Sequence, residues 1–213
     1  MVANSQISEK VSSRRQRNRE RTIQEILDTA RLIIREKGVA ALTMHELASR
    51  MGIRPPSLYN YFSGLMEIYD ALFRMGFQMW GEHLKKSTRD ARTWQEEVRQ
   101  VMEAYLTFAL QNPELYQLCF ERPVPGFVPS EESLRISFGI LENAYQRVEG
   151  LKENLDTGLE PKQIADLIIA LTHGLTSLHM ANEPQLALGQ GRFGSLIPAA
   201  VAVLDQAWSE DKD

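Results

Sequence analysis

The sequence has few of the residues that build disulfides or metal sites. It contains one cysteine, Cys119, and four histidines among 213 residues. A single cysteine excludes an intrachain disulfide, and we favour a small buried side chain over a redox sensor. The histidines do not have the spacing of zinc ligands. We therefore predict neither a metal nor a cofactor.

Long hydrophobic runs are also missing. The longest, from Leu196 to Leu204, is well short of the ~20 apolar residues that span a bilayer. The first residues of the chain do not form the apolar segment of a signal peptide. We expect a cytoplasmic protein that does not associate with membranes.

The sequence also contains no motif that supports a catalytic function. Residues 189–194 have the letters of G-x-G-x-x-G. A dinucleotide site also needs a preceding strand and an acidic residue about 20 positions later, and neither condition is met. The sequence has no G-x-S-x-G and no P-loop. We predict that residues 182–194 form a loop and that the protein is not an enzyme.

Apolar residues recur at helical spacing along most of the chain, and no strand pattern of any length occurs. Prolines and glycines separate the periodic segments. We therefore predict an all-α fold of about nine helices. They cover residues 17–37, two short segments within 43–62, and then 65–84, 94–111, 113–120, 130–155, 161–181 and 195–208.

Charge is distributed unevenly along the chain. Residues 1–62 hold 11 Lys and Arg against 6 Asp and Glu, a net charge of +5, whereas the rest holds 13 against 22, a net charge of −9. A basic first third favours binding of a polyanion at that end. The arginines at 14, 15, 17, 19 and 21 form either a solvated charge run or an arm that contacts phosphates or a minor groove.

Residues 43–62 predict a helix, a tight turn and a second helix. Thr43 and Glu46 have the spacing of a capping box. Gly52 suits the left-handed position that ends the first helix. Pro55 and Pro56 suit the start of the second helix, where their missing N–H groups have no helical partner anyway.

The outer face of this second helix has an unusual composition. Leu58 and Phe62 are four apart and face inward, which leaves Arg, Ser, Asn and two Tyr residues outside. Arginine pairs with guanine, asparagine pairs with adenine, and hydroxyl groups donate to phosphates. The alternative is an ordinary helical hairpin with a polar surface.

The stretch from Ala41 to Phe62 resembles the DNA-binding domain of the TetR family of transcriptional regulators, above all in Leu58-Tyr59-x-Tyr61-Phe62. The resemblance covers about residues 17–70. The family usually has a lysine at the start of the next helix, where this chain has Leu65. A second, shorter resemblance links residues 108–116 and Thr172-His173-Gly174-Leu175 to the C-terminal domain of the WHG subgroup, whose signature has Trp at the position of Thr172.

This resemblance implies a disordered basic arm over 1–16, a helix-turn-helix domain over 17–64, and a ligand-binding and dimerisation domain over 65–213. It implies a double-stranded DNA operator as a partner, a small-molecule effector of unknown identity, and a homodimer. The residues that it places on DNA are Arg17, Thr43, Arg54, Pro55, Pro56, Ser57, Tyr59, Asn60 and Tyr61.

Two further sets of residues are expected in the C-terminal domain. Large apolar and sparsely polar side chains suit a pocket for an apolar ligand, although an ordinary helical core is the alternative for each: Met102, Tyr105, Phe108, Tyr116, Phe138, Leu141, Tyr145 and His173. The last two helices carry more apolar residues than one buried face needs, which favours a dimer interface. Its predicted residues are Leu171, Leu178, Val201, Leu204 and Trp208.

Two functions remain open at this point. One is a ligand-responsive transcriptional regulator, most simply a repressor that an apolar effector releases from a palindromic operator. The other is an intracellular helical protein that binds small molecules and has weak or lost DNA binding, because Leu65 replaces the usual lysine.

Overall fold

The computed structural model describes the backbone of residues 2–151 and 155–208, and side chains from residue 14 onward within those ranges. Every regular element in them is helical, as predicted. The first elements are α1 (Val2–Lys37), a 3₁₀ turn (Val39–Ala41), α2 (Met44–Arg50), α3 (Pro55–Leu58) and α4 (Leu65–Ser87). They are followed by α5 (Trp94–Gln111), α6 (Pro113–Tyr116), a π-helical turn (Gln117–Glu121), α7 (Glu131–Leu151), α8 (Pro161–Asn182), α9 (Gly191–Gly194) and α10 (Ile197–Trp208).

The chain forms two compact units. The N-terminal unit comprises residues up to Phe73 together with Gln117–Pro129, and the C-terminal unit comprises Arg74–Tyr116 and the chain from Ser130 onward. The division therefore falls inside α4, nine residues beyond the boundary predicted after residue 64. The sequence analysis also missed that residues 117–129 belong to the N-terminal unit.

Residues 117–129 join the N-terminal unit through contacts with the first part of α4. The ring of Phe127 lies 6.1 Å from the ring of Phe73 and 6.0 Å from the ring of Tyr69. The Cys119 thiol, as expected a small buried side chain, lies 3.6 Å from the carbonyl oxygen of Phe73. Burial raises the pKa of this thiol, because a thiolate there would have no solvent around it.

Helix α1 is longer than predicted. It begins at Val2, so residues 2–16 are helical where the sequence analysis placed a disordered arm. The segment from residue 2 to residue 37 contains no proline or glycine, and nothing in it stops a helix from extending outward from its packed part. The packed part carries the predicted stripe, with Ile26, Ala30 and Ile33 fully buried. Gly38, at φ +82°, ends the helix.

The core of the C-terminal unit is formed mainly by α5, α8 and α10. Its buried members are Trp94, Val98, Met102 and Leu106 from α5, Ile164 from α8, and Ile197, Val201, Leu204 and Trp208 from α10. The indole rings of Trp94 and Trp208 lie 5.9 Å apart. This contact between Trp94 and Trp208 brings together side chains that are more than 100 positions apart in the sequence.

This core corrects part of the predicted dimer interface. Val201, Leu204 and Trp208 are at most 8% exposed, so they are not available to a second copy of the chain. They recur at helical spacing on the face of α10 that packs against α5. Leu171 is partly buried against the same core, whereas Leu178 is 47% exposed. The sequence showed that α10 was apolar on more than one side, but not which side the protomer itself buries.

The segment between α8 and α10 is a loop that contains the short helix α9. The Glu183 carboxylate accepts a hydrogen bond of 2.6 Å from the backbone N–H of Arg192. A Cβ atom on Gly191 would lie within 2.9 Å of both Glu183 and Leu186, and Gly191 has a φ of +72°. Gly191 is therefore needed where the loop packs tightly against Glu183 and Leu186. This agrees with the interpretation that the G-x-G-x-x-G run is a loop and not a nucleotide site.

We predict that Leu204→Ala destabilises the protein by about 2–5 kcal/mol, because it leaves a cavity between α10 and α5. Gln206→Ala, on the exposed side of the same helix, is the matched control and should change the free energy of unfolding by less than about 0.5 kcal/mol. Denaturant unfolding monitored by circular dichroism measures both. Equal stability of the two variants would contradict the assignment of Leu204 to the core.

Candidate nucleic-acid interface

Helix α2 begins with a side-chain cap. The hydroxyl oxygen of Thr43 accepts a hydrogen bond of 3.0 Å from the backbone N–H of Glu46, as predicted. The Glu46 carboxylate accepts hydrogen bonds from Lys37, at 2.9 Å, and from Arg50, at 3.3 Å. In place of the second half of the predicted capping box, Glu46 pairs with Lys37 at the end of α1 and with Arg50 within α2.

The turn after α2 is a Schellman motif. Gly52 has a φ of +66°, and its N–H donates to the carbonyl of Ser49 at 3.1 Å. The N–H of Ile53 donates to the carbonyl of Ala48 at 3.0 Å. These two bonds satisfy carbonyl groups that the end of a helix leaves open, and the left-handed Gly52 turns the chain out of the helix. Ile53 is half-buried, as expected of a residue that plugs the corner.

Helix α3 is short and is anchored by two apolar side chains. Arg54 is its extended N-cap residue, and Pro55 and Pro56 open the first turn. Leu58 is fully buried and Phe62 is 5% exposed, in agreement with the prediction. The N–H groups of Tyr61 and Phe62 both donate to the carbonyl of Leu58, at 2.9 and 3.0 Å. One turn of helix and the turn after it therefore hold residues 54–61 on the surface.

The predicted DNA-contacting residues remain accessible. Three of them, Pro55, Ser57 and Tyr61, are half-buried. The other six are exposed: Arg17, Thr43, Arg54, Pro56, Tyr59 and Asn60. Tyr59 is a bulky aromatic residue that is 55% exposed. We call residues 54–61 the recognition strip, because its arginine, serine, asparagine and tyrosine side chains form one continuous outer segment.

Arg19 contacts this strip and was missed as an individual contact in the sequence analysis. Its Nη1 group donates a hydrogen bond of 2.8 Å to the carbonyl oxygen of Asn60. Its guanidinium lies 5.3 Å from the centre of the Tyr61 ring, a cation–π distance. Arg19 stands four residues before Ile23 and seven before Ile26, on the line of the apolar stripe of α1. This helical spacing is the signal in the sequence that could have placed Arg19, unlike Arg17, on the packed side of α1.

Carboxylates neutralise two of the cations near α2. Arg50 Nη2 lies 2.7 Å from Glu36, and Lys37 Nζ lies 2.9 Å from Glu46. The hydrogen bond from Arg50 lowers the pKa of Glu36, and the hydrogen bond from Lys37 is the largest cause of the lowered pKa of Glu46. Arg17 and Arg54 make no ion pair within the residues that the structure describes. Their charges stay available for phosphates or base edges.

Five of the residues predicted to line a ligand pocket lie together in a buried or half-buried aromatic cluster. Met102, Tyr105, Phe108 and Tyr116 are buried in a packed cluster, in which Tyr105 Oη lies 3.1 Å from His173 Nδ1. The Tyr116 ring lies 5.8 Å from the ring of Tyr105 and 6.1 Å from that of His173. These large rings fill the space between them, so the ordinary core interpretation holds for this group.

The other three predicted pocket residues lie apart from this cluster, on α7. Phe138 is 60% exposed and Leu141 is half-buried. The Tyr145 hydroxyl donates a hydrogen bond of 2.9 Å to Asp166, which raises the pKa of Tyr145. The spacing of α7 was read correctly as helical, but its aromatic side chains do not point to one common space.

The C-terminal unit has a cavity of about 630 Å³ at a different place. Most of its lining is aliphatic, from α4, α5, α7, α8 and α10, with a few polar groups. The lining residues are Gly81, Leu84, Lys85, Trp94, Glu97, Val98, Val101, Ile140, Asn143, Ala144, Gln146, Arg147, Val148, Leu151, Leu155, Ile164, Ala165, Ile168, Ile169 and Trp208. None of the eight predicted ligand residues is among them. Ala144 and Ala165 contribute small side chains to the lining, whereas Gly81 allows a close approach of Ile140, 3.2 Å from where a Cβ atom would lie.

No metal centre is formed by the residues described. No group of three or more His, Cys, Asp or Glu side chains among them could hold a metal ion. The chemistry that the structure offers is therefore recognition: a basic and hydroxyl-rich strip in one unit and an apolar cavity in the other.

A helix-turn-helix with an exposed recognition strip, carried by an all-helical chain, defines the class of helix-turn-helix transcriptional regulators. Residues 26–72 match the family model described as bacterial regulatory proteins, tetR family. Residues 98–193 match the model described as tetracyclin repressor-like, C-terminal domain. The chain belongs to the TetR family. The narrower resemblance to the WHG subgroup stays a prediction.

Relatives of known sequence agree with this assignment. The uncharacterized HTH-type transcriptional regulator YobS of Bacillus subtilis is 32% identical over 92 residues, which are 43% of this chain and 48% of YobS. The HTH-type transcriptional activator FasR of Mycolicibacterium smegmatis is 27% identical over 97 residues, 46% of this chain and 44% of FasR. The chain thus spans about half the length of the curated relatives it matches. The family and these relatives are regulators, which confirms the prediction that the protein is not an enzyme.

Solved structures share the fold over most of the chain. A protein of unknown function from Rhodococcus sp. RHA1 has a TM-score of 0.74 at 19% identity and covers 88% of this chain and 95% of its own. The regulator FadR from Bacillus subtilis, solved in complex with stearoyl-CoA, has a TM-score of 0.64 at 16% identity, with 85% and 96% covered. At these identities the likeness extends to the fold alone.

We predict that Gly52→Ala destabilises the N-terminal unit by about 1–2 kcal/mol, because an L-residue is strained at a φ of +66°. Gly139→Ala is the control: both glycines have open space for a Cβ atom, but Gly139 lies within α7 and has no positive φ. It should stabilise the protein by about 0.5–1 kcal/mol. Thermal unfolding measures the two shifts, and shifts of the same sign would be inconsistent with the Schellman turn.

Proposed function

We propose that this protein is a ligand-responsive repressor that binds a palindromic DNA operator as a homodimer in the cytoplasm and is released by a small apolar effector. The observation that carries the DNA-binding part is the recognition strip: residues 54–61 are held by the Schellman turn on one side and by buried Leu58 and Phe62 on the other. Such a strip presents side chains to a major groove without further ordering.

The roles within the strip follow from side-chain chemistry. Arg54, Ser57 and Asn60 are proposed to contact base edges, since their donors and acceptors match those of guanine and adenine. Tyr59, Tyr61, Thr43 and Arg17 are proposed to contact phosphates, and Pro55 and Pro56 to pack against the backbone of the duplex. Arg19 is proposed to position the strip, because it already bonds the carbonyl of Asn60.

The dimer is proposed to form through α8 and the outward side of α10. Among the described helices, α8 is long and apolar enough to span a membrane. Only 28% of its most apolar segment is buried within the protomer. Leu167 and Leu178 on α8 and Val203 on α10 are each more than 40% exposed. An exposed apolar surface of this kind is typical of an interface, and two-fold pairing doubles the number of DNA contacts.

The cavity in the C-terminal unit supports the effector part of the proposal. Its size of about 630 Å³ lies within the range of small-molecule sites, and its walls are mainly aliphatic. An effector releases DNA only when it binds the non-DNA conformation more tightly, because equal affinity for both conformations shifts nothing. FadR, one of the proteins that share the fold, was solved with stearoyl-CoA.

The second candidate is a small-molecule-binding protein with weak or lost DNA binding. Leu65 begins α4 and is half-buried, so this helix start offers no lysine to a phosphate. The Glu67 carboxylate bonds the N–H of Ser63 at the same helix start, which places a negative charge there. A gel-shift experiment on the DNA upstream of the protein's own gene separates this candidate from the repressor.

We expect Arg54→Ala to lower operator affinity by about 1–3 kcal/mol and to relax specificity at one base of each half-site. Tyr59→Phe should weaken binding to all operator variants about equally, because phosphates carry no sequence information. Binding of both variants to a panel of single-base operator changes distinguishes these effects. An unchanged ranking of operators with Arg54→Ala would refute its base-reading role.

For the dimer, we expect Leu178→Glu and Val203→Glu to produce monomers in sedimentation equilibrium, because each puts a charge into the apolar interface. Val128→Glu is the control, since Val128 is 80% exposed but lies in the N-terminal unit. Its dimerisation should equal that of the parent protein. Intact dimers of both α8 and α10 variants would move the interface to another surface.

A further inference from the structure

The polar groups of the cavity gather where three helices meet. Lys85 comes from the last turn of α4, Glu97 from the first turn of α5, and Asn143, Gln146 and Arg147 from the second half of α7. The remaining walls are almost entirely apolar and include contributions from α8 and α10. The cavity is therefore amphipathic, with a charged end and an apolar body.

The charges at this end do not cancel. Arg147 Nε lies 2.6 Å from Glu97 Oε1, and its Nη1 group lies 3.2 Å from the hydroxyl of Thr88. Lys85 has no ion-pair partner among the residues with described side chains, and the Nη2 group of Arg147 has no hydrogen-bond partner among them. After Arg147 and Glu97 neutralise one another, one positive charge and free N–H donors remain at the cavity wall.

An unmatched cation beside an apolar space selects among ligands. Lys85 is exposed, so a neutral ligand leaves it in water and gains nothing from its charge, whereas a cationic head group placed beside it would be repelled. A carboxylate would replace that water with charge-assisted hydrogen bonds from Lys85 and Arg147. The Asn143 amide adds a neutral donor at the same end, whereas the Gln146 amide already donates to Glu142 at 3.4 Å.

We propose that the cavity takes an amphipathic anion, an aliphatic chain that ends in a carboxylate, with the chain between α5, α7 and α8 and the carboxylate on Lys85 and Arg147. This inference rests on the proposed function only in assigning that ligand as the effector. The class of ligand follows from the cavity itself.

The experiment compares three ten-carbon probes on the full-length protein at pH 7.5: decanoate, decanol and decylamine. They share an aliphatic chain and differ in the charge of the head group. Trp94 and Trp208 line the cavity, so tryptophan fluorescence reports occupancy directly, and titration calorimetry gives an independent Kd. We expect decanoate to bind at least tenfold more tightly than decanol, and decylamine to bind most weakly.

Two variants locate the head group. Lys85→Gln should remove most of the preference for decanoate over decanol while leaving decanol affinity within about twofold. Lys86→Gln is the matched control, because Lys86 is exposed like its neighbour Lys85 but does not line the cavity. It should keep the full preference. Ala144→Leu, which fills part of the cavity, should weaken decanoate and decanol together, which a surface site would not do.

Several outcomes would overturn the inference. They are equal affinity for decanoate and decanol in the parent protein, equal loss of preference in Lys85→Gln and Lys86→Gln, and absence of saturable decanoate binding below about 1 mM. Operator affinity is measured separately with and without decanoate. If decanoate binds selectively but operator affinity does not change, the ligand class stands and the effector part of the proposed function fails. If the operator is bound but the protein shows no preference for decanoate, the ligand class fails and the DNA-binding part of the proposed function stands.

Discussion

The hydrogen bonds that end α2 determine the geometry of the DNA-binding unit. The N–H groups of Gly52 and Ile53 satisfy carbonyls of α2, and this is possible only because Gly52 takes a left-handed conformation. The direction of the chain after this turn decides where α3 begins. Burial of Leu58 and Phe62 then fixes which side of α3 faces outward. The contact from Arg19 to Asn60 closes the strip at its far end.

Ion pairing selects which charges remain for binding. In the N-terminal unit, Arg50 and Lys37 are engaged by Glu36 and Glu46, so they stabilise the arrangement of α1 and α2. Arg54, on the recognition strip, has no such partner among the described side chains. The same logic applies at the cavity, where Arg147 is engaged by Glu97 and Lys85 is not. In both units a cation without a carboxylate partner marks the proposed contact with a ligand.

Side-chain size separates core from cavity in the C-terminal unit. The rings of Tyr105, Tyr116 and His173 pack against one another and fill their surroundings. The cavity lies elsewhere, between helices whose facing side chains are mainly aliphatic, and its lining includes the small side chains of Ala144 and Ala165. The aromatic residues that suggested a ligand pocket in the sequence lie in this packed cluster or on α7, whereas Trp94 and Trp208 line the cavity. Interiors are close-packed, so a cavity forms where side-chain volume is insufficient rather than where it is greatest.

The sequence alone determined the features that depend on neighbouring residues. The Thr43 cap, the left-handed Gly52, the prolines that open α3 and the bounds of α5 all follow from local hydrogen bonding and backbone conformation, within about ten residues. Tertiary structure decided the rest. Only packing shows that α10 buries Val201, Leu204 and Trp208 within its own protomer, that residues 117–129 join the N-terminal unit, and that Arg19 reaches Asn60. Helical spacing identifies an apolar face, but the element that covers this face can lie more than 100 residues away, as α5 does from α10, and local patterns carry no information about it.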